Sequence, residues 1–193
     1  NKLMNCRVQG LSWIKLTVMW NNNLIMVCIY SRKKAKALYK ILVLGMGNLL
    51  MSDDSLGVIA LDELDKKYKQ RREVCCLEIG TSVLNYISDI GKAETLLAID
   101  AITAGHGPGT VYRIYVNKTN LVDSRNFFVD SHGAGLPEAV ALSRELTGLP
   151  SRVIIYGIEP YSCEVGFSIS SQVRNSLKRL VDLVQQDINW FLK

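Results

Sequence analysis

Ile41-Leu42-Val43-Leu44-Gly45-Met46-Gly47-Asn48-Leu49-Leu50-Met51-Ser52-Asp53-Asp54 is the stretch that decides the fold. It opens on four consecutive apolar residues ending at a glycine. That pattern is a short strand buried on both faces, as in a parallel sheet covered by helices. Gly45 and Gly47 permit a tight turn after the strand. The two carboxylates, Asp53 and Asp54, then stand just before a segment in which Val58, Leu61, Leu64 and Tyr68 recur at helical spacing.

The same alternation continues along the chain. Val74 to Ile79 reads as a second strand, and Val83, Leu84, Ile87 and Ile90 as a short helix closed by Gly91. Thr95 to Ile99 is an apolar run ending at Asp100, and Thr110 to Val116 is a strand with a more exposed face. Pro137 suits the first turn of a helix carrying Ala139, Val140 and Leu146. Arg152 to Ile158 is a fifth strand, and Val173, Leu177, Leu180, Val184, Ile188 and Phe191 mark a long final helix. Strands alternating with helices predict a three-layer α/β/α sandwich around a mainly parallel sheet of about five strands.

The first forty residues differ from this body. They hold eight of the 23 Lys and Arg and none of the 18 Asp and Glu, so the +5 of the whole chain becomes −3 from residue 41 onward. The basic character belongs to residues 1–40, and a nucleic-acid role for the body loses its main support. No uninterrupted apolar span there approaches the ~20 residues a membrane helix needs. Residues 1–40 are expected to be a basic, poorly ordered extension, suited at most to weak contact with an anionic surface. Residues 41–193 form the single domain. Five cysteines, an odd number without any Cys-x-x-Cys spacing, argue against a disulfide scaffold and fit a cytoplasmic setting.

In open α/β sheets the working residues collect beyond the carboxyl ends of the strands. Three such places carry chemistry. The first holds Asp53 and Asp54. An Asp before a helix is an ordinary N-cap, which suits Asp53, but one cap is enough, so Asp54 is the functional candidate. The second holds Asp100, at the end of an apolar strand. The third is Val129-Asp130-Ser131-His132-Gly133-Ala134-Gly135, where His132 sits before a helix. His106 lies in the glycine-dense Gly105-His106-Gly107-Pro108-Gly109 and reads as a turn residue. Two carboxylates and an imidazole from separate loops can converge on one divalent ion and leave positions open, with Zn, Ni, Fe or Mn all compatible with O/N ligation.

At these residues the sequence resembles the hydrogenase maturation endopeptidases, which remove a C-terminal extension from the precursor of a nickel-iron hydrogenase large subunit. The similar elements are Ile41 to Gly57, Leu96 to Val111, Asp130 to Val140 and Tyr156 to Val173, in the family's order. The resemblance implies a metal site of Asp54, Asp100 and His132. It implies a protein substrate, the large-subunit precursor, and a nickel ion supplied by that precursor, with another divalent ion such as Zn able to occupy the same ligands. Asp54 or Asp100 would serve as the catalytic carboxylate of an aspartic-type or metal-dependent peptidase. Gly45, Gly47, Asn48, Asp53, Gly80 and Thr81 would shape the surrounding loops. Two departures stand out. Glu78-Ile79-Gly80-Thr81 replaces the usual Asp-Gly-Gly-Thr/Ser, and Ser131 stands where Pro is common.

Two rival readings are a Rossmann-like nucleotide module and a non-catalytic interaction domain of the same fold. Gly45-Met46-Gly47 and Glu78 favour the first, but Leu50 occupies the third glycine position. Asp53 and Asp54 would also repel a pyrophosphate at the helix N-terminus. The second rival is opposed by retention of all three proposed ligands.

Overall fold

The computed structural model describes residues 11–20, 23–32, 36–116 and 135–193. The chain divides between Ala35 and Lys36 into two compact units. In the first, β1 (Leu11–Trp20) and β2 (Asn23–Arg32) pair antiparallel from Leu11↔Arg32 to Trp20↔Asn23. The sequence pattern assigns no element there. The hairpin joins the two apolar-rich runs on either side of the asparagine stretch.

The second unit opens with β3 (Tyr39–Met46), two residues earlier than the apolar run alone indicates. It continues through α1 (Leu56–Tyr68), β4 (Val74–Gly80), α2 (Ile87–Ile90), β5 (Ala93–Ala101), β6 (Val111–Tyr115), α3 (Leu136–Thr147), β7 (Arg152–Ile158) and α4 (Ser171–Leu192). The five strands lie in the order β4-β3-β5-β7-β6. All neighbours are parallel except β6, which pairs antiparallel with β7 at one edge. The expected mainly parallel, five-stranded architecture is what the chain adopts.

Successive side chains of a strand point to opposite faces, and here each face has its own helical cover. Ile41, Val43, Leu97, Ile99, Ile154 and Tyr156 pack with α1 and α4. Leu42, Leu44, Leu96, Ala98, Val153 and Ile155 pack with α2 and α3. This double cover is the reason β3, β5 and β7 read as unbroken apolar runs. The short helix expected over Val83 to Ile90 is a 3-10 turn (Val83–Tyr86) running into α2. Pro137 stands in the first turn of α3, as its fixed φ favours.

Helix α4 is tied down by charge as well as by apolar burial. The buried Asp187 accepts from Arg113 Nε at 2.7 Å and from its Nη2 at 2.6 Å, and also from the Tyr156 hydroxyl. This bidentate pair links α4 to β6 and β7, and it satisfies a carboxylate that would be costly to bury alone.

Helix α1 approaches the sheet closely because glycine faces glycine. A Cβ on Gly57 would stand 2.3 Å from the Met46 carbonyl oxygen and 2.4 Å from that of Ile99. A Cβ on Gly45 would stand 2.7 Å from Leu61 Cβ and 2.8 Å from the Gly57 oxygen. The N-terminus of α1 is therefore set directly over the carboxyl ends of β3 and β5. Because the obstructing atoms are backbone, Gly57→Ala should lower stability by about 3 kcal/mol through overpacking. Urea unfolding should show this as a lower midpoint with an unchanged slope.

Candidate active site

The loop from β3 to α1 is built of short turns. Gly47, at φ +112°, packs so tightly that a Cβ would lie 1.8 Å from the Asp54 carbonyl oxygen. Its glycine character thus serves internal packing, which leaves no cradle for a phosphate. Gly47 N–H donates to the Gly80 carbonyl at 3.1 Å, so the ends of β3 and β4 are tied together. Asn48 Oδ1 accepts from Leu50 N–H at 3.0 Å, and the Asn48 N–H donates to Asp54 Oδ2 at 2.7 Å. Ser52 takes a left-handed φ of +44°, a conformation that costs a non-glycine residue on the order of 1–3 kcal/mol. Its N–H donates to the Gly166 carbonyl at 2.9 Å, and its own carbonyl accepts the Ser55 hydroxyl at 2.6 Å.

Asp53 is fully buried. Of the two roles that the sequence leaves to Asp53, a cap of α1 or a residue shaping the loop, the cap is not the one it takes. Ser55 holds the N-cap position, no side chain caps the helix there, and Asp53 lies within a 3-10 turn (Ser52–Ser55). Its carboxylate instead accepts three backbone N–H groups from the segment between β7 and α4: Tyr161 at 2.8 Å, Ser162 at 3.2 Å and Ser170 at 2.6 Å. Its own N–H donates back to the Ser162 carbonyl at 3.1 Å. A second clasp follows, with the Gly166 N–H donating to the Leu50 carbonyl at 2.9 Å. The Tyr156 to Val173 stretch enters the sequence reading only through the family resemblance, and nothing in its residue pattern shows that Tyr161, Ser162 and Ser170 turn their N–H groups toward Asp53.

Asp54 is half-buried, and its carboxylate stands 3.5 Å from the position of a Gly47 Cβ. Burial pushes its pKa upward, and the Asn48 N–H offsets only part of that rise. Asp100 lies one residue inside the end of β5, opposite Gly157 of β7, and is also half-buried. Its Oδ1 accepts the Ala101 N–H at 2.8 Å. The Ile99 residue before it pairs with Gly45 of β3. The two candidate carboxylates therefore sit over adjacent strands at one sheet edge. The third candidate, His132, lies outside the described residues. Among the described residues no three His, Cys, Asp or Glu side chains are grouped to hold a metal ion.

Cys163 joins the carboxylates at this edge. Its thiol is raised to about 11 by burial, followed by the negative charges of Asp54, Asp53 and Asp100. Cys75 and Cys76 of β4 are raised as well, Cys76 to about 12, chiefly by burial. None of the three is a thiolate near neutral pH. Of the other expected loop residues, Gly80 has φ +54° and Thr81 is exposed at the end of β4. Ile79, which departs from the family pattern, is buried against Leu42, Leu44 and Met46.

A further clamp was not foreseen. The buried Glu159 accepts from Ala104 N–H at 3.0 Å, from Gly105 N–H at 3.1 Å and from the Tyr112 hydroxyl. Burial alone would raise its pKa, but these hydrogen bonds outweigh burial and hold it below the usual value. His106 sits in the exposed turn that Glu159 fixes, with Nδ1 3.1 Å from the Tyr112 oxygen.

A family model, HycI: Hydrogenase maturation protease, matches residues 58–187. Hydrogenase expression/formation protein HupD of Thiocapsa roseopersicina is 27% identical over 154 residues, which cover 79% of this chain and 69% of the relative. Hydrogenase 2 maturation protease of Escherichia coli is 25% identical over 146 residues, 75% of this chain and 88% of the relative. Among solved structures, the hydrogenase maturating endopeptidase HybD from E. coli superposes with a TM-score of 0.68. It is 24% identical, over 78% of this chain and 92% of that one, a likeness of fold. A hydrogenase 2 maturation peptidase from a Thaumarchaeota archaeon gives 0.58 at 25% identity, over 77% and 97%.

The two adjacent acids should respond in opposite ways to mutation. Asp53→Ala removes the acceptor of three N–H groups and should cost about 3 kcal/mol or more, measured by urea unfolding. Asp54 has a folded-state pKa above its unfolded value. Its favourable contribution is therefore full below 3.8 and is lost as pH rises through the folded value. Asp54→Asn should accordingly be at least as stable as the parent at pH 7, and its advantage should vanish below pH 3.8.

Proposed function

This chain belongs to the hydrogenase maturation protease family, and we propose that it removes the C-terminal extension of a nickel-loaded hydrogenase large-subunit precursor. The observation that carries this reading is the placement of Asp54. It is a carboxylate held at the sheet's carboxyl edge, accepting from the Asn48 N–H and raised by burial, next to the strand that carries Asp100 one residue from its end. A carboxylate raised in this way is better matched to taking a proton near neutral pH than an ordinary surface Asp.

In the proposed reaction Asp54, Asp100 and His132 meet the nickel that the precursor carries. That contact adds binding energy which the unloaded precursor lacks, so processing becomes conditional on metal insertion. It also holds the scissile bond beside the carboxylates. Asp54 or Asp100 takes a proton from a water molecule as the water attacks the peptide carbonyl, and returns it to the departing amine. The ion would supply Lewis-acid polarisation of the same carbonyl. The thiols Cys75, Cys76 and Cys163 are given no role in this reaction, since burial raises all three.

In this proposal the protease domain is the body read from the sequence as 41–193, whose first strand begins at Tyr39, and the basic extension is the segment that precedes it. Among the described residues no helix is long and apolar enough to cross a membrane. The free cysteines Cys75, Cys76 and Cys163 fit the reducing cytoplasm, where we place the reaction. The nucleotide-binding alternative is not favoured, because the glycine loop is filled by the backbone of Asp54.

Mass measurement of the precursor before and after exposure to the protein tests the reading. The nickel-loaded precursor should be shortened and the nickel-free one left intact. Asp54→Asn, Asp100→Asn and His132→Ala should each slow shortening at least about 100-fold. Processing by His132→Ala at the parent rate would remove the proposed ligand set. A loaded precursor left intact by the parent chain would favour the non-catalytic alternative.

A further inference from the structure

Five large apolar side chains stand in solvent on the two loops that Asp53 and Gly166 fasten together. Leu49 and Leu50 lie on the β3–α1 loop, and Tyr161, Val165 and Phe167 on the β7–α4 segment. Val165 and Phe167 are 81% and 86% exposed, higher than any other large apolar residue described in the body. Isolated apolar residues on a surface need no explanation, but a cluster on one edge marks an interaction site. The other exposed large apolar residues of the body are single, such as Leu38, Leu84 and Trp190, apart from the pair Leu142 and Leu146 on α3, which is less exposed than Val165 and Phe167.

The backbone under this cluster is fixed. Tyr161 is anchored through its own N–H to Asp53, and the Gly166 N–H and carbonyl are paired with Leu50 and Ser52. Val165 and Phe167 flank Gly166 and so inherit its position. Preorganised apolar groups of this kind bind with little ordering cost. The rim is continuous with the candidate active site, since Leu49 and Leu50 are followed within five residues by Asp54. A substrate protein that brings a peptide bond to Asp54 lies beside them.

We propose that Leu49, Leu50, Tyr161, Val165 and Phe167 form the docking rim for the hydrogenase large-subunit precursor and grip an apolar patch on it independently of nickel. This rests on the function proposed above and adds to it a recognition element separate from the metal ligands. Nickel then licenses the cut, while the rim selects the protein.

The test uses the full chain and the nickel-free precursor with its C-terminal extension, so that metal contacts do not contribute. Binding is measured by calorimetry for the parent, for Val165→Ser/Phe167→Ser, and for Leu142→Ser/Leu146→Ser, an exposed apolar pair on α3 away from the rim. The rim variant should bind at least tenfold more weakly, equivalent to about 1.4 kcal/mol. The α3 variant should stay within about twofold. Thermal melting of both variants checks that they are folded, as expected for side chains this exposed. Equal affinity of parent and rim variant would overturn the inference, as would equal losses in both variants or no binding by the parent. A parent dimer that the rim substitutions disperse would also overturn it, by assigning the rim to a second copy of the chain. Shortening of nickel-loaded precursor by Asp54→Asn is followed in parallel. Full processing by that variant together with weakened binding by the rim variant would remove the proposed catalytic site and leave the rim standing.

Discussion

A buried carboxylate that accepts three backbone N–H groups from a distant segment holds the working edge of this protein together. Asp53 is next to the sheet in sequence, but its partners Tyr161, Ser162 and Ser170 lie more than one hundred residues away. Burying a carboxylate is costly unless it is well paired, and three charge-assisted hydrogen bonds offset that cost. The benefit is positional. The segment from β7 to α4 has few buried apolar side chains of its own, and Asp53 gives it a fixed course. Ser170 is at once a donor to Asp53 and the N-cap of α4, so the same carboxylate also fixes where the longest helix begins.

Two neighbouring acids thereby acquire different characters from their surroundings alone. Asp53 points into the protein and has its hydrogen-bonding capacity largely filled. Asp54 faces the sheet edge, with one N–H donor from Asn48 and a raised pKa. Their partners separate them: within the 3-10 turn that begins at the left-handed Ser52, Asp53 accepts from the β7–α4 segment and Asp54 from Asn48. The glycines at 45, 47 and 57 bring strand, loop and helix close enough for this to happen. A protein that merely needed a capped helix would not require such crowding.

Much of this was legible in the sequence, and the parts that were not share a cause. The apolar runs at Ile41–Leu44 and Val153–Ile158 mark the strands because burial on both faces leaves a one-dimensional signature. The stepping of Val173 to Phe191 marks α4 for a different reason, since a helix buried along one stripe repeats its apolar residues every three or four positions. The edge location of Asp54 and Asp100 followed from the rule that parallel sheets expose their carboxyl ends. For Asp53 the local spacing leaves open a helix cap or a loop-shaping role, because its donors are remote in sequence. Glu159 was missed likewise. It follows an apolar strand much as Asp100 does, and nothing local reveals that Ala104, Gly105 and Tyr112 turn toward it. His132 was read from its glycine-rich setting and the family resemblance, and it lies outside the described residues.

The electrostatics of the edge give the proposed reaction its direction. Asp53, Asp54 and Asp100 together place enough negative charge around Cys163 to help hold its thiol protonated. A site of that sign disfavours thiolate chemistry and favours the approach of a cation. Under the proposed function the cation arrives with the substrate, and its charge would lower the pKa of Asp54 while it is bound. Burial and the cation thus act on Asp54 in opposite directions: burial weakens its hold on charge in the free protein, and the arriving ion would offset that cost, so the edge gains most from the loaded precursor.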